Sequence, residues 1–126
     1  MINMLAIALG AAVGANLRYG LSVWAAQRFG TAFPYGTLIV NVLGSFVIGL
    51  ILGLAVTRLT LSTPWRLLLV TGLLGGFTTF SSFSYETYDL IERGAWLAAG
   101  GYVLSSVGFG LLACIFGIGV ARLIPN

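Results

Sequence analysis

Hydrophobic residues run along almost the whole chain in four long stretches, which short polar connectors separate. A helix needs about 20 mostly apolar residues to cross the hydrocarbon core of a bilayer, and each stretch meets that length. The connectors carry the turn residues Pro34, Pro64 and Gly94. The pattern predicts an all-α integral membrane protein with one domain over residues 1–126 and four transmembrane helices at about residues 4–26, 36–56, 65–90 and 95–123.

The third stretch contains a polar interruption, GLLGGFTTFSSFSYETY, at residues 72–88. Gly75 and Gly76 form a weak point for a helix, and the hydroxyls of Thr78 and Thr79 can replace backbone hydrogen bonds lost at an unwound turn. Unwound backbone at membrane depth has free carbonyls that can bind a cation and a new helix N-terminus that favours an anion. The sequence favours a third helix broken mid-membrane. The alternative is a continuous helix in which the two glycines make a packing contact.

Composition excludes several classes of function. Of the 126 residues, 59% are hydrophobic and 7% are charged, far from the usual composition of a soluble domain. The chain has no histidine and one cysteine, Cys114. This excludes an intrachain disulfide, a His/Cys metal site and catalysis by His or a Cys–His pair, so no enzyme is predicted. The basic residues are scattered arginines, which do not predict nucleic-acid binding.

The six arginines give no clear instruction about membrane orientation. In a four-span chain, three lie on each side: Arg58, Arg66 and Arg122 on one, and Arg18, Arg28 and Arg93 on the other. Either a weak bias or another signal sets a single orientation, or both orientations are made and pair as an antiparallel dimer. Glycines at one-turn spacing allow close helix packing, either within a monomer or between two.

Most polar side chains inside the predicted spans are hydrogen-bond donors. The first, second and fourth spans contain no carboxylate, whereas a cation antiporter would normally carry one within the membrane. Donors instead favour a small inorganic anion. Phe80 and Phe83 share a helical face and could turn their positive ring edges toward such an anion. The donors are Thr37, Asn41, Ser81, Ser84, Tyr102 and Ser106, and Arg18 adds positive charge.

Four motifs carry a resemblance to a known family: GANLRYG (14–20), GTLIVNVLGSF (36–46), GLLGGFTTFSSFSYET (72–87) and ERG (92–94). Over essentially the whole chain, the sequence closely resembles the Fluc family, also called CrcB, of bacterial fluoride channels. The resemblance implies a passive fluoride-selective channel of the bacterial inner membrane that exports cytoplasmic fluoride. It also implies an antiparallel dual-topology homodimer with two fluoride pathways, each lined by both subunits.

The resemblance also implies roles for individual residues. Phe80 and Phe83 resemble the phenylalanines whose ring edges contact fluoride, and Asn41 resembles the pore asparagine. Gly75 and Thr78 resemble the residues whose backbone carbonyls, from both subunits, hold a central structural Na⁺.

Hydroxyl residues are expected to continue the pathway as a polar track. Thr79, Ser81, Tyr102 and Ser106 resemble hydroxyls of that track, and Thr37 and Ser84 are expected beside it. Arg18 resembles the vestibule arginine, and Glu86 resembles the glutamate near the pore mouth. One departure is Gly110, because many relatives carry a second hydroxyl one turn after the serine of the fourth span. Either the track is shorter here or water replaces that hydroxyl.

Two other classes of protein compete with this interpretation. A small multidrug antiporter also has four spans and dual topology, but the first span lacks the carboxylate that it would need, and carries Arg18 instead. A non-transporting assembly subunit would not need Asn41, the interruption and the polar face together.

Overall fold

The computed structural model describes residues 1–57 and 60–125, and its regular structure within those ranges is helical. Four helical stretches are long and apolar enough to cross a membrane: Ile2–Phe29, Tyr35–Val56, Thr63–Glu92 and Trp96–Leu123. The first is α1 (Ile2–Phe29), the second lies within α2 (Tyr35–Thr57) and the last is α6 (Trp96–Leu123). These stretches confirm the predicted all-α fold with four candidate spans, and their ends lie within a few residues of the predicted ones.

The third stretch is built from several pieces. It begins with α3 (Thr63–Arg66), continues through the wider turns of a π-helix (Leu67–Leu74) and a short α4 (Gly75–Phe77), and resumes as α5 (Phe80–Glu92). Pro64 lies in its first turn, and the N-cap residue, Ser62, makes no side-chain cap hydrogen bond.

The helix is interrupted at Thr78 and Thr79, within the predicted polar stretch, and the weak point at Gly75-Gly76 stays helical. Gly75 keeps helical torsion angles (φ −63°, ψ −36°), whereas the Thr78 and Thr79 backbones are extended. Gly76 serves a packing role, because a Cβ there would lie 2.6 Å from the Ala11 carbonyl oxygen of α1. The close approach to α1 thus holds the glycines in the helix, and the β-branched threonines take the extended conformation that suits them.

Glycines bring the helices together in two pairs within the monomer. Gly10 and Gly14 of α1 lie directly against the backbone of the π-helix, and a Cβ on Gly72 would lie 2.7 Å from the Ile7 carbonyl oxygen. Gly49 of α2 and Gly117 of α6 make equally close contacts with the opposite helix. Small residues allow such backbone contacts in lipid. By contrast, a Cβ on Gly101, Gly108 or Gly119 would meet nothing within 4 Å.

A buried cluster closes the end of the molecule where α5 turns into α6. Leu90, Ala99 and Tyr102 are almost fully buried there, with Phe33 and Phe83 packed against them. The turn itself uses Gly94, whose φ of 74° is accessible to glycine at little cost. This cluster fixes the position of α5, which carries most of the polar residues singled out in the sequence.

Candidate functional site

The interruption of the third stretch is held by the side chains of its own threonines. The Thr78 hydroxyl donates to the Leu74 carbonyl oxygen (2.9 Å), which also accepts the Thr78 N–H. Thr79 is the N-cap of α5, and its hydroxyl oxygen accepts the Ser82 N–H (3.2 Å). Threonine is one of the preferred residues at this position, since its oxygen satisfies an amide that the helix leaves unpaired. The two threonines therefore end one helix and start the next.

Asn41 of α2 satisfies the peptide groups at the interruption. Its Oδ1 accepts the Thr79 N–H (2.8 Å), and its Nδ2 donates to the Thr79 carbonyl oxygen (3.0 Å). The Asn41 side-chain amide thus bonds both backbone groups of Thr79, as the backbone of a neighbouring β-strand would. Only one N–H of the Asn41 side chain is used in this pair, and the group has two. Gly44, one turn away, makes room for the contact, because a Cβ there would clash with the Thr78 side chain.

This arrangement diverts the donors of two backbone carbonyls. In a continuous helix, the Thr79 N–H would bond the Gly75 carbonyl and the Ser82 N–H would bond the Thr78 carbonyl. The Thr79 N–H donates to Asn41 instead, and the Ser82 N–H donates to the Thr79 hydroxyl. The Gly75 and Thr78 carbonyl oxygens therefore do not receive those helical bonds. Both carbonyls remain available as acceptors at the interruption.

A cavity of about 400 Å³ lies beside the interruption. The second, third and fourth stretches all contribute to its wall. Its polar and aromatic lining residues are Asn41, Ser45, Thr78, Thr79, Phe80, Phe83 and Ser106. The Ser106 hydroxyl oxygen is buried and has no hydrogen-bond partner among the described residues. A buried hydroxyl without a partner is costly, so it marks a place where a ligand or water is expected to bind.

The two phenylalanines of the predicted pathway lie together in this cavity. The ring centroids of Phe80 and Phe83 are 5.4 Å apart, with an angle of 45° between the ring planes. Phe83 continues into a second ring contact with Tyr102, at 5.2 Å. Phe80 remains 77% exposed in the monomer. Its ring is thus free to contact a molecule or ion outside the wall of its own subunit.

Glu86 occupies a separate hydrogen-bonded group at the other end of α5. Its Oε1 accepts the Thr37 hydroxyl (2.8 Å) and its Oε2 accepts the Tyr102 hydroxyl (2.7 Å). Thr37 and Glu86 line a second cavity of about 210 Å³, together with Asp89 and Arg93. Both hydroxyl protons are therefore used by the Glu86 carboxylate, and neither Thr37 nor Tyr102 lines the first cavity.

The remaining residues that the sequence singled out lie outside both of these cavity walls. Ser81 is exposed, and its hydroxyl oxygen lies 3.3 Å from that of Thr79. Ser84 is exposed and donates to the Phe80 carbonyl oxygen of its own helix (3.0 Å). Arg18 is half-buried on α1. Arg58, which the topology argument counted, lies outside the described residues.

Comparison with known proteins decides the family. The model of the family described as CrcB-like protein, Camphor Resistance (CrcB), matches residues 5–118. This chain belongs to the CrcB family. The match confirms the family inferred from the sequence motifs.

Similar proteins are named as fluoride channels. A protein of Roseiflexus sp. (strain RS-1), named "Fluoride-specific ion channel FluC", is 67% identical over 98% of this chain and 100% of its own length. A protein of the same name from Chloroflexus aurantiacus (strain ATCC 29366 / DSM 635 / J-10-fl) is 66% identical over 97% of each chain. Another, from Rhizobium etli (strain CIAT 652), is 50% identical over 97% of this chain and 98% of its own length.

Sequence reasoning on this CrcB chain missed two residues of the site. Ser82 supplies the amide and a hydroxyl that bind the Thr79 side chain. Ser45 lines the main cavity beside Asn41. A signal for Ser45 was present, because it follows Asn41 by one helical turn and therefore lies on the same face of α2.

Replacing Asn41 with alanine is expected to destabilise the protein by about 1–3 kcal/mol, because the Thr79 N–H and carbonyl lose their partners inside the protein. Hydrogen exchange at the Thr79 amide should accelerate, and the thermal midpoint in detergent should fall. Asn16→Ala is the matched control, since the Asn16 side chain bonds only the Ala12 carbonyl of its own helix. Equal Thr79 exchange in the Asn41→Ala and Asn16→Ala variants would show that Asn41 does not support the interruption.

Proposed function

We propose that the chain is a passive fluoride-selective channel that exports fluoride across the inner membrane of a bacterium. One observation carries the proposal: 67% identity over 98% of the chain to a protein named fluoride-specific ion channel. The family match over residues 5–118 supports it further. Passive export suits a solute that accumulates inside the cell, since HF crosses the bilayer and ionises in the cytoplasm.

Several features of the main cavity support an anion pathway. Its polar lining contributes hydroxyl and amide donors, from Asn41 and Ser106 among others, and no lining residue is acidic. Donors that are already positioned can replace the hydration shell of an anion at low reorganisation cost. The Phe80 and Phe83 rings add positively polarised edges to the same space. Glu86, which lines the second cavity, accepts hydrogen bonds from two hydroxyl donors.

We also propose that two copies assemble as an antiparallel homodimer. The exposed face of the third stretch carries Thr71, Gly75, Ser81 and Ser84 beside the 77% exposed Phe80 ring. Exposed polar groups at membrane depth favour burial in protein or contact with a water-filled space. A second subunit on this face would cover these groups and complete the wall of each pathway. The balance of arginines between the two sides is consistent with insertion in both orientations.

The orientation proposal predicts that a tag on the C-terminus is accessible from both sides of the inner membrane in one cell population. Adding two or three lysines to one terminus should bias insertion and lower fluoride export, because lysine favours the cytoplasmic side. A matched set of added glutamines should leave both properties unchanged. Full export by a protein whose tag is accessible from one side only would contradict the antiparallel dimer.

A structural Na⁺ fits the acceptors at the interruption. The Gly75 and Thr78 carbonyls are the two whose helical donors are diverted, and hard cations bind such oxygens. The described residues contain no group of three or more His, Cys, Asp or Glu side chains that could hold a metal instead. When bound, the ion would supply positive charge at the interruption. The chain contributes by directing the Thr79 and Ser82 N–H groups away from the Gly75 and Thr78 carbonyls.

Na⁺ is expected to raise the thermal stability of the purified dimer, and replacement by N-methyl-D-glucamine should lower it. At a hundredfold excess over its Kd, a ligand stabilises by about 2.7 kcal/mol. Thr78→Ala should keep the Na⁺ dependence, because the variant retains the backbone carbonyl. Equal stability with and without Na⁺ would count against the site.

Fluoride flux provides the test of the channel itself. Liposomes that contain the purified protein should release fluoride, as read by an ion-selective electrode, and should retain chloride. Phe80→Ile and Phe83→Ile should each reduce the flux about tenfold or more, the effect of losing roughly 1.4 kcal/mol of stabilisation along the pathway. Phe80→Met should keep more flux, since its polarizable side chain partly replaces the ring edge.

The matched control is Phe109→Ile on α6, whose ring is exposed and lies outside both cavity walls. It should conduct like the unmodified protein. If the Phe80 and Phe83 variants also conduct normally, the rings only fill space. If the unmodified protein releases no fluoride, the proposed function is wrong.

A further inference from the structure

We propose that Ser45 supplies an anion-contacting hydroxyl of the pathway, directly beside the place where a side chain of the fourth span would lie if residue 110 were not glycine. The proposal rests on the proposed fluoride conduction and adds to it a residue of the second span. It also gives a physical answer to the departure at Gly110, because the hydroxyl expected there comes from the neighbouring helix.

The positions of α2 and α6 lead to this inference. Ser45 follows Asn41 by one turn of α2, and Gly110 follows Ser106 by one turn of α6. The α2 row of Asn41 and Ser45 therefore lies beside the α6 row of Ser106 and Gly110 where the two helices pack. A Cβ built on Gly110 would meet the Ser45 hydroxyl oxygen at 3.5 Å. That distance is an ordinary van der Waals contact, so the Ser45 hydroxyl lies directly beside the space that a side chain at position 110 would enter.

Ser45 also belongs to the wall of the main cavity, together with Asn41 and Ser106. Its hydroxyl forms no hydrogen bond with the described part of the chain, and the buried hydroxyl of Ser106 likewise has no partner there. The neighbouring hydroxyl of Ser105, by contrast, donates to the Tyr102 carbonyl oxygen of its own helix (3.2 Å). The hydroxyls of Ser45 and Ser106 thus both line the main cavity, and neither has a hydrogen-bond partner among the described residues.

Two such donors from facing helices suit a small anion. Hydrogen bonds to an ionised acceptor are roughly twice as strong as those between neutral groups. Fluoride leaving one donor needs another within reach, since an unpaired charge in this environment is costly. Ser45 extends the row of donors beyond Asn41, on the side where Gly110 leaves α6 without a hydroxyl.

The test moves the hydroxyl from one helix to the other. Ser45→Ala should reduce fluoride flux in liposomes about tenfold, because the loss of one hydrogen bond to a charged group has an effect of at least that size. Adding Gly110→Ser to Ser45→Ala should restore most of the flux, since the new hydroxyl would lie next to the position that the Ser45 hydroxyl leaves. Adding Gly110→Ala instead supplies the volume without the hydroxyl and should not restore it.

Ser105→Ala serves as the matched control and should conduct normally, because that hydroxyl bonds its own helix. Size-exclusion profiles and thermal midpoints of all variants should match those of the unmodified protein, which separates loss of flux from misfolding. Normal flux in Ser45→Ala would overturn the proposal, and so would a loss that Gly110→Ser fails to restore. Absence of fluoride flux in the unmodified protein would reject the proposed function, and this inference with it.

Discussion

The hydrogen-bonded pair between the Asn41 amide and the Thr79 peptide is the interaction on which the rest of the site depends. A helix that opens inside an apolar protein exposes an N–H and a carbonyl, and each is costly without a partner. One side chain from α2 satisfies both groups of Thr79, at 2.8 and 3.0 Å. This pair fixes the interruption at the threonines and also joins the second stretch to the third.

The Asn41–Thr79 pair also places free backbone acceptors and side-chain donors on different parts of the third stretch. The Thr79 N–H donates to Asn41 and the Ser82 N–H donates to the Thr79 hydroxyl. The carbonyls of Gly75 and Thr78 therefore do not receive the hydrogen bonds that these two N–H groups would make in a continuous helix. After the interruption, α5 presents the Phe80 and Phe83 rings to a cavity whose hydroxyls are donors. Groups suited to a cation and groups suited to an anion thus lie a few residues apart. Thr78, Thr79 and Asn41 make the hydrogen bonds that produce this arrangement.

The sequence predicted the four spans well, because long apolar stretches dominate hydropathy whatever their tertiary contacts. It predicted an interruption within residues 72–88 but could not select the residue, since the helix-breaking tendency of Gly75 and Gly76 yields to close packing of Gly76 against Ala11. Hydropathy and spacing could suggest that Asn41 needs a partner, but the identity of that partner depends on how α2 crosses the third stretch. The proximity of Ser45 to Gly110 depends in the same way on the contact between α2 and α6.

The glycine contacts bear on the order in which this chain can assemble during synthesis. The tight pairs are α1 with the third stretch and α2 with α6, so each helix packs closely against the next but one along the sequence. Neither pair consists of two consecutive spans joined as a helical hairpin. The first pair must await synthesis of the third stretch and the second must await α6. Most of the polypeptide has therefore been translated before its interior can close, and each span meets lipid or the insertion machinery before it meets its partner.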